Sequence, residues 1–335
     1  MTTEPVTEND DLNKEVIHWG SKYLSSHGYA LKSDLPEKVQ NTPWSDVVRF
    51  ATTDGYIYLK RTPKLIALEA IITQILHDQF HASVPVVIAH NAELNCFLMK
   101  DAGRPLRQIL KKQFDAGLLC KAIHQFTSIQ SDVADHVDIF LNMGVPDWRL
   151  DKLPGLFGQF LSKKDILIAD GLSEMEISEL ETLLPKISNL CRKLSSYSIK
   201  QTIVQPDFHD NNLLINDTQN ITIIDLGEIV ISHPFFSLTN FLWQAKKHHA
   251  LKDEDDAYLQ MINACLKNYM DIESKQHLLD AFATAQILWF VYGALANDRL
   301  MNACGKERLM SFQPGRLSGE LKELMAACIA IDLDD

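Results

Sequence analysis

The residues best suited to chemistry in this sequence lie in one polar stretch that contains Asp207, Asn212 and Asp225. Two short apolar runs, Leu213–Ile215 and Ile221–Ile224, lie between Asn212 and Asp225 and are separated by Asn and Asp residues typical of turns. This pattern predicts a β-hairpin. Because the residues before the first strand and after the second lie at the same end of a hairpin, we expect the three side chains to converge.

Carboxylate and amide oxygens in this arrangement suit phosphoryl transfer, which depends mainly on placing groups and neutralising charge. One Asp would accept the proton of an attacking hydroxyl, while the Asn and the second Asp would hold Mg²⁺ against the phosphates. For Asp207 alone, a polar loop that joins two strands without further function is the simpler interpretation. The three residues together, at this spacing and on a hairpin, favour the metal–phosphate site.

The same stretch resembles a known family. Residues Pro206–Leu214 read Pro-Asp-Phe-His-Asp-Asn-Asn-Leu-Leu and resemble the His-Gly-Asp-Leu-His-x-x-Asn motif of the aminoglycoside phosphotransferase and choline kinase family. Ile224–Glu228 resembles that family's Ile-Asp-Phe/Trp-Gly-Asp/Glu, and His233-Pro234 matches the His/Asp-Pro that usually follows. The sequence departs from the pattern at Gln205-Pro206, where the family has His-Gly, and at Ser237, where the family has Asp.

The resemblance implies a role for each polar residue of the motifs. Asp207 would orient or deprotonate the acceptor hydroxyl, and His209 would brace the loop by hydrogen bonding. Asn212 and Asp225 would bind Mg²⁺, and Glu228 would support that site or hold a second ion. The implied activity is the ATP- and Mg²⁺-dependent phosphorylation of a hydroxyl on a small molecule, with aminoglycosides, choline, sugars and amino alcohols all open as acceptors.

The first hundred residues contain the groups expected to bind the nucleotide. Lys60 closes a predicted strand, and Glu69 lies on a helix predicted over Lys64–Phe80. A lysine on a strand and a glutamate on the next helix form the ion pair that orients ATP phosphates in kinases. Ser45 begins a predicted hairpin, where it would contact a phosphate through its hydroxyl or backbone N–H, or would simply start a strand. By the resemblance, adenine would bond to the backbone around Leu98, Met99 and Lys100.

The order of the predicted elements indicates an α+β protein, and the resemblance implies a two-lobe protein-kinase-like fold. Residues 1–100 would form a small N-lobe with an antiparallel sheet, one packed helix and an N-terminal helix. Residues 101–335 would form a large, mainly helical C-lobe with the catalytic loop, the metal site and the acceptor pocket. Apolar residues at helical spacing predict long helices in this lobe, over Ala116–Leu141, Glu174–Ser195 and Gln276–Ala296.

Composition and charge limit the other classes of function. The net charge of −12 over 335 residues argues against nucleic acid as the main partner. Six cysteines without a Cys-x-x-Cys pair indicate a reducing compartment. No apolar run reaches about 18 residues, so we expect no membrane span. The polar, acidic start, Met1–Asp11, indicates no secretory signal, and we therefore expect a cytoplasmic location.

Two other functions remain open from the sequence. Gln205-Pro206 and a phosphate-covering turn without glycine, Asn41–Ser45, would suit a nucleotide-binding pseudokinase or regulatory module. The second is a kinase that acts on a protein or a lipid head group. The chain has no Ala-Pro-Glu segment and no long activation segment between Asp225 and Pro234, which argues against peptide substrates.

Overall fold

The computed structural model describes residues 8–33 and 35–334, so the polar start of the chain lies largely outside the described residues. The strands are β1 Glu37–Thr42, β2 Ser45–Thr52, β3 Gly55–Arg61, β4 Val87–Asn91, β5 Cys96–Lys100, β6 Arg104–Pro105, β7 Thr202–Val204, β8 Leu213–Ile215, β9 Ile221–Ile223 and β10 Val230–Ser232. The helices are α1 Glu8–Ser26, α2 Glu69–Phe80, α3 Leu106–Leu110, α4 Ala116–Val133, α5 Val137–Asn142, α6 Leu153–Leu161, α7 Lys164–Asp170, α8 Glu174–Thr182, α9 Leu184–Ser195, α10 Phe235–His249, α11 Asp256–Lys267, α12 Lys275–Cys304, α13 Lys306–Phe312 and α14 Arg316–Asp334.

A five-stranded antiparallel sheet forms the small lobe, with strand order β1-β2-β3-β5-β4. β2 and β3 are joined by a tight turn in which Gly55 has a φ of 116°, a conformation that glycine adopts without steric cost. Helix α1 packs on this sheet, with Val16 and Leu24 against Leu59 and its neighbours. The sheet ends at Lys100, where the sequence pattern also placed the end of the N-lobe.

Helix α2 begins later than the sequence predicted. Instead of continuing the helix, Lys64–Ile66 forms a 3₁₀ turn, in which Ile66 N–H donates to Pro63 O at 3.0 Å and Ala67 N–H donates to Lys64 O at 3.3 Å. Glu69 is therefore the first residue of α2. The helix dipole favours a negative charge at the N-terminus of α2, so it stabilises the Glu69 carboxylate there in addition to any ion pair that the carboxylate forms.

The large lobe contains two small sheets among its helices, with strand orders β6-β8-β9 and β10-β7. β8 and β9 form the predicted hairpin, with Leu213 opposite Ile223. The long helix α12 packs against α6, α9, α10 and α14. The hairpin itself contacts α3 through β8 and α4 through β9.

Two of the predicted long helices are interrupted. The helix expected over Ala116–Leu141 consists of α4 and α5, and the turn between them contains neither Gly nor Pro that would reveal it in the sequence. The helix expected over Glu174–Ser195 consists of α8 and α9. Pro185 lies in the first turn of α9, where a missing N–H is tolerated, but the same residue prevents α8 from continuing.

Helix α12 is the element that bears on the membrane question. Within the described residues, it is long and apolar enough to cross a membrane by length and composition alone. However, 67% of its most apolar window is buried inside the fold. The core helix of a globular domain has this character.

Helix α13 contacts the first turn of the N-lobe sheet. Trp44, in the turn between β1 and β2, packs edge to face against Phe312 with ring centroids 5.2 Å apart. Arg308 Nη2 donates to the backbone oxygen of Thr42 at 3.5 Å. Helix α13 thus touches the turn between β1 and β2, and the two lobes meet at this point as well.

Candidate active site

Asp207 lies in the loop between β7 and β8, and its neighbours fix the carboxylate. The Asn212 amide nitrogen donates to the Asp207 backbone oxygen at 2.9 Å and to Oδ2 at 3.0 Å. His209 Nε2 is 3.1 Å from Oδ1, while His209 Nδ1 accepts from Asn211 N–H at 3.3 Å. Because a neutral imidazole has one donor and one acceptor nitrogen, Nε2 is the donor to Asp207. His209 therefore holds the carboxylate in place.

The Asp207 carboxylate is accessible and charged. Its side chain is 50% exposed. Partial burial raises the pKa of Asp207, but the hydrogen bond from His209 and the positive charge of Arg316 are among the interactions that lower it by more, so the net shift is downward. The carboxylate is thus ionised at neutral pH, the state in which it can orient a hydroxyl or accept its proton.

The Lys60 ammonium connects the two lobes. Its Nζ is 2.9 Å and 2.7 Å from the two carboxylate oxygens of Glu69 and 2.5 Å from Asp225 Oδ1. Burial lowers the pKa of Lys60, but the negative charges of Asp225 and Glu69 raise it by more, so the net shift is upward and the ammonium stays charged. The buried ammonium of Lys60 on β3 therefore joins Glu69 on α2 of the N-lobe to Asp225 in a loop of the C-lobe.

Asp225 has a strained backbone. Its φ of 66° and ψ of 52° lie in the left-handed region that residues other than glycine rarely adopt. The end of the hairpin holds this loop, because Ile224 N–H donates to Asn212 O at 3.0 Å. Gly227 follows closely, and a Cβ there would lie 2.8 Å from Ile66 O beside α2. Strain of this kind persists only where surrounding contacts enforce it, and it clusters at functional sites.

Glu228 adds a third carboxyl group to the same place. Burial, and then the negative charges of Asp207 and Asp225, raise the pKa of Glu228 to about 8, although Arg299 and Arg316 act in the opposite direction. The negative charges of neighbouring carboxylates repel one another, and a bound divalent cation would offset this repulsion. The electrostatics of the three carboxyl groups therefore fit a bound metal ion.

The donor atoms fit a hard cation such as Mg²⁺. Asn212 uses its amide nitrogen on Asp207, which leaves the amide oxygen as a ligand beside the carboxylates. Oxygen donors of this type are those that Mg²⁺ selects. Across residues 8–33 and 35–334, no three His, Cys, Asp or Glu side chains form a metal-binding group by themselves. A Mg²⁺ site here would thus use the amide, phosphate oxygens and water together with the carboxylates, as Mg²⁺–nucleotide sites do.

Ser45 faces the same side of the sheet as Lys60. Lys60 is opposite Val47 in the register of β2 and β3, and Ser45 precedes Val47 by two residues. Side chains two apart on a strand share a face. The Ser45 hydroxyl is buried and has no hydrogen-bond partner among the described residues. Since an unpaired buried hydroxyl is unfavourable, a phosphate oxygen in the cleft would satisfy it.

The backbone of the expected adenine-binding residues lies within the sheet. β5 is an interior strand, where Leu98 is opposite both Leu59 and Ala89. Lys100 N–H donates to Val86 O at 3.0 Å. Pairing with β3 and β4 thus uses backbone groups of this strand, and the binding of adenine at Leu98, Met99 and Lys100 stays a prediction. In the linker that follows, Asp101 N–H donates to Tyr56 O at 3.3 Å and Gly103 N–H donates to Asp101 Oδ1 at 2.9 Å.

Several polar contacts that hold the loops of the site had no signal in the sequence. Arg107 Nη2 is 2.6 Å from Asp210 Oδ1, and His249 Nε2 is 2.8 Å from the other oxygen of that carboxylate. Arg299 Nη1 donates to the backbone oxygens of Glu228 at 2.9 Å and Ile229 at 3.2 Å. These partners come from distant parts of the chain, so no local motif could have indicated them.

The two lobes and the loops that meet between them define a kinase-like α+β fold, as the sequence predicted. No family model and no curated protein matches the sequence. Among solved structures, the chain is similar to an ethanolamine kinase from Plasmodium vivax, with a TM-score of 0.60 and 9% identity over 96% of this chain and 93% of that one.

Two further solved structures show the same fold. A macrolide 2'-phosphotransferase type I has a TM-score of 0.58 and 12% identity over 97% of this chain and 99% of that one. An amicoumacin kinase, solved in complex with AMP-PNP, Ca²⁺ and Ami, has a TM-score of 0.56 and 14% identity over 94% of this chain and 95% of that one. The likeness extends over nearly the whole chain, so the predicted fold class is confirmed.

Proposed function

We propose that this protein transfers the γ-phosphoryl group of ATP to a hydroxyl of a small molecule, with Mg²⁺ as its cofactor. The observation that carries the proposal is the position of Lys60, whose ammonium lies 2.5–2.9 Å from oxygens of Glu69 and Asp225. A lysine held between a helix glutamate and a metal-binding aspartate brings positive charge to the ATP phosphates. The unpaired Ser45 hydroxyl on the same face would add a donor.

Each residue of the site has a role that follows from its contacts. Asp207, held by Asn212 and His209, would orient the acceptor hydroxyl and take its proton. Asn212 and Asp225 would hold Mg²⁺, with Glu228 as a further carboxylate. A Mg²⁺ ion held by these residues would supply positive charge that offsets the charge of the phosphates. The protein would thus contribute mainly by positioning the reacting groups, and the many contacts that fix these side chains are in keeping with that role.

A small-molecule acceptor is favoured over a peptide. The structures with the same fold are named as kinases or phosphotransferases of ethanolamine, macrolides and amicoumacin. The segment between Asp225 and Pro234 is a short 3₁₀ turn followed by β10, without a platform for a peptide. Cys96, Cys120, Cys191, Cys265 and Cys304 are free thiols, in keeping with a reducing, cytoplasmic environment, which we include in the proposal.

A nucleotide-binding module without transfer activity is the second candidate. The altered Gln205-Pro206 and the glycine-free turn before Ser45 favour it. The ionised, half-exposed Asp207 opposes it, because a module that only binds a nucleotide does not need a carboxylate poised towards the acceptor side. The two candidates differ in what the Asp207→Asn variant should do.

The first experiment measures binding of Mg²⁺–ATP by thermal shift and by calorimetry. Stabilisation should follow RT ln(1 + [L]/Kd) and should require Mg²⁺. Asp225→Ala should weaken this metal-dependent binding more than Asp207→Ala does, because Asp225 would touch the ion whereas Asp207 would face the acceptor. Asp217→Asn is a matched control, since this carboxylate lies on the turn of the same hairpin and is 97% exposed. No shift at millimolar Mg²⁺–ATP would refute nucleotide binding.

The second experiment tests transfer with a panel of hydroxyl compounds and product mass measurement. Asp207→Asn should lower turnover by ~10²–10⁴-fold, the usual contribution of a positioned base, while ATP affinity changes little. Wild-type turnover in this variant would refute the role of Asp207. Tight ATP binding without any phosphorylated product across the panel would favour the binding module.

A further inference from the structure

The residues at which the sequence departs from the family motif lie together in the structure. Gln205 follows β7, and Ser237 lies in the first turn of α10; both are 0% exposed. Gln205 N–H donates to Ser237 Oγ at 2.8 Å, and Ser237 Oγ donates to Gln205 O at 2.9 Å. One hydroxyl therefore bridges both backbone groups of one residue and anchors the start of the catalytic loop to α10.

The Gln205 side chain extends this anchor to the Asp225 loop. Its Nε2 donates to Ile224 O at 3.0 Å and to Asp225 O at 2.7 Å. A primary amide has two N–H donors, so it can satisfy two consecutive carbonyls, whereas a neutral imidazole has one. The two carbonyls belong to Ile224 and to Asp225, the residue with the strained φ of 66°. The amide thus supplies contacts that hold Asp225 in this conformation.

Pro206 explains why a serine suits position 237. Proline has no N–H and biases the preceding residue towards extended backbone. With glycine at 206, an aspartate at 237 could accept from the N–H groups of two successive residues. With Pro206 the second donor is absent, and a carboxylate would instead face the Gln205 carbonyl. Serine matches one N–H and one C=O because its hydroxyl both accepts and donates.

We propose that Gln205, Pro206 and Ser237 form one coupled positioning unit, which replaces the family's residues with a neutral hydrogen-bonded set and holds Asp225 for metal binding. The three departures then compensate for one another instead of marking a loss of activity. The consequence for metal binding rests on the proposed function, whereas the coupling between the three residues does not.

The first test replaces Gln205 with Met, which keeps the length of the side chain and removes both donors. Gln130→Met is the matched control, because the buried Gln130 Nε2 also donates to two carbonyls, Ile203 O at 2.9 Å and Pro234 O at 3.3 Å. Both variants should lose a similar amount of thermal stability. Gln205→Met alone should bind Mg²⁺–AMP-PNP about tenfold more weakly, the loss expected for two neutral hydrogen bonds, with little change for metal-free AMP-PNP.

The second test is a double-mutant cycle on Pro206 and Ser237, read by thermal and urea unfolding without nucleotide. Ser237→Asp alone should lower Tm, and adding Pro206→Gly should recover about 2 °C or more of that loss although glycine by itself loosens the loop. Ser237→Ala, which leaves both backbone groups of Gln205 unpaired, checks that the hydroxyl is the stabilising group.

The outcomes separate this inference from the proposed function. Additive effects in the unfolding cycle would overturn the coupling whether or not the protein binds ATP. A loss of metal-dependent binding that is equal in Gln205→Met and Gln130→Met would show that Gln205 has only a structural role. Wild-type protein that binds no Mg²⁺–nucleotide but shows the coupling would refute the proposed function and leave the positioning unit supported.

Discussion

Replacing Lys60 with Met should destabilise the protein, because the lysine neutralises carboxylates on two elements. Lys60 is 5% exposed and Glu69 is 4% exposed. The variant leaves the Glu69 charge buried without its cation. Breaking a buried ion pair by removing one partner costs about 3–5 kcal/mol. We expect a decrease of this size in the free energy of unfolding, measured by urea denaturation at pH 7.5.

The second replacement, Glu69→Gln, should reverse most of that loss. A neutral amide of the same shape removes the unpaired charge, so Lys60→Met/Glu69→Gln should recover at least about 2 kcal/mol of the free energy of unfolding. Mg²⁺–ATP binding should stay weak in the double variant, because the positive charge for the phosphates is still absent. Recovery of stability without recovery of binding would separate the two roles of Lys60.

The loss in free energy of unfolding caused by Lys60→Met should also depend on pH. Burial raises the pKa of Glu69 and the charge of Asp225 raises it further, while Lys60 opposes both. Without Lys60 the folded-state pKa is higher still, so the destabilisation is largest at high pH. It shrinks as pH falls through this raised pKa, because the folded state then takes up a proton.

The control is Lys64→Met, which removes a charge from an exposed lysine four residues later in the chain. It should change the free energy of unfolding by less than about 0.5 kcal/mol. If Lys60→Met is as stable as this control, or if Glu69→Gln restores nothing, the Lys60–Glu69 pair does not exist in solution and our reasoning on the site is wrong.

Three further predictions concern the residues around the site. Gly227→Ala should destabilise the protein by about 1–3 kcal/mol in thermal or urea unfolding, since its Cβ would lie 2.8 Å from Ile66 O; unchanged stability would contradict this packing. Burial lowers the pKa of His233 to about 3. The free energy of unfolding should therefore fall as the pH drops from about 6.5 towards 3, by roughly 3 kcal/mol at pH 4. The His233→Gln variant should show a flatter dependence on pH in this range. Arg107→Met should cost about 3 kcal/mol because Asp210 is 2% exposed, and Asp210→Asn in the same chain should restore most of it.

Local sequence signals predicted the parts of the fold that depend on short stretches. The alternation of apolar and turn residues after Asn212 predicted the β8–β9 hairpin, and the structure places Asn212 and Asp225 at its end. The strand that ends near Lys60 and the helix that contains Glu69 were also visible. Their side chains meet because the sheet and α2 are adjacent, which the resemblance implied.

Features that depend on tertiary contacts could not be predicted in this way. The 3₁₀ turn before Glu69 and the break between α4 and α5 interrupt patterns that continue in the sequence. Pro185 was a usable signal for the end of α8. The pairing of Arg107 with Asp210 joins residues 103 positions apart, and Gln205 with Ser237 joins residues 32 positions apart. Spacing along the chain contains no information on such pairs.

The contact of α13 with the N-lobe turn gives the cleft an unusual boundary. In the register of the sheet, Asp46 is opposite Arg61, while Lys100 is opposite Ile57. The turn that carries Trp44 and the exit of the chain at Lys100 are therefore at opposite ends of the strands. The lobes are linked covalently at one end and by the Trp44–Phe312 ring contact at the other. Rotation of the N-lobe about its covalent connection would have to separate these rings and also break the Lys60–Asp225 ion pair, so α13 shares with the site itself the control of how far the two lobes can move apart.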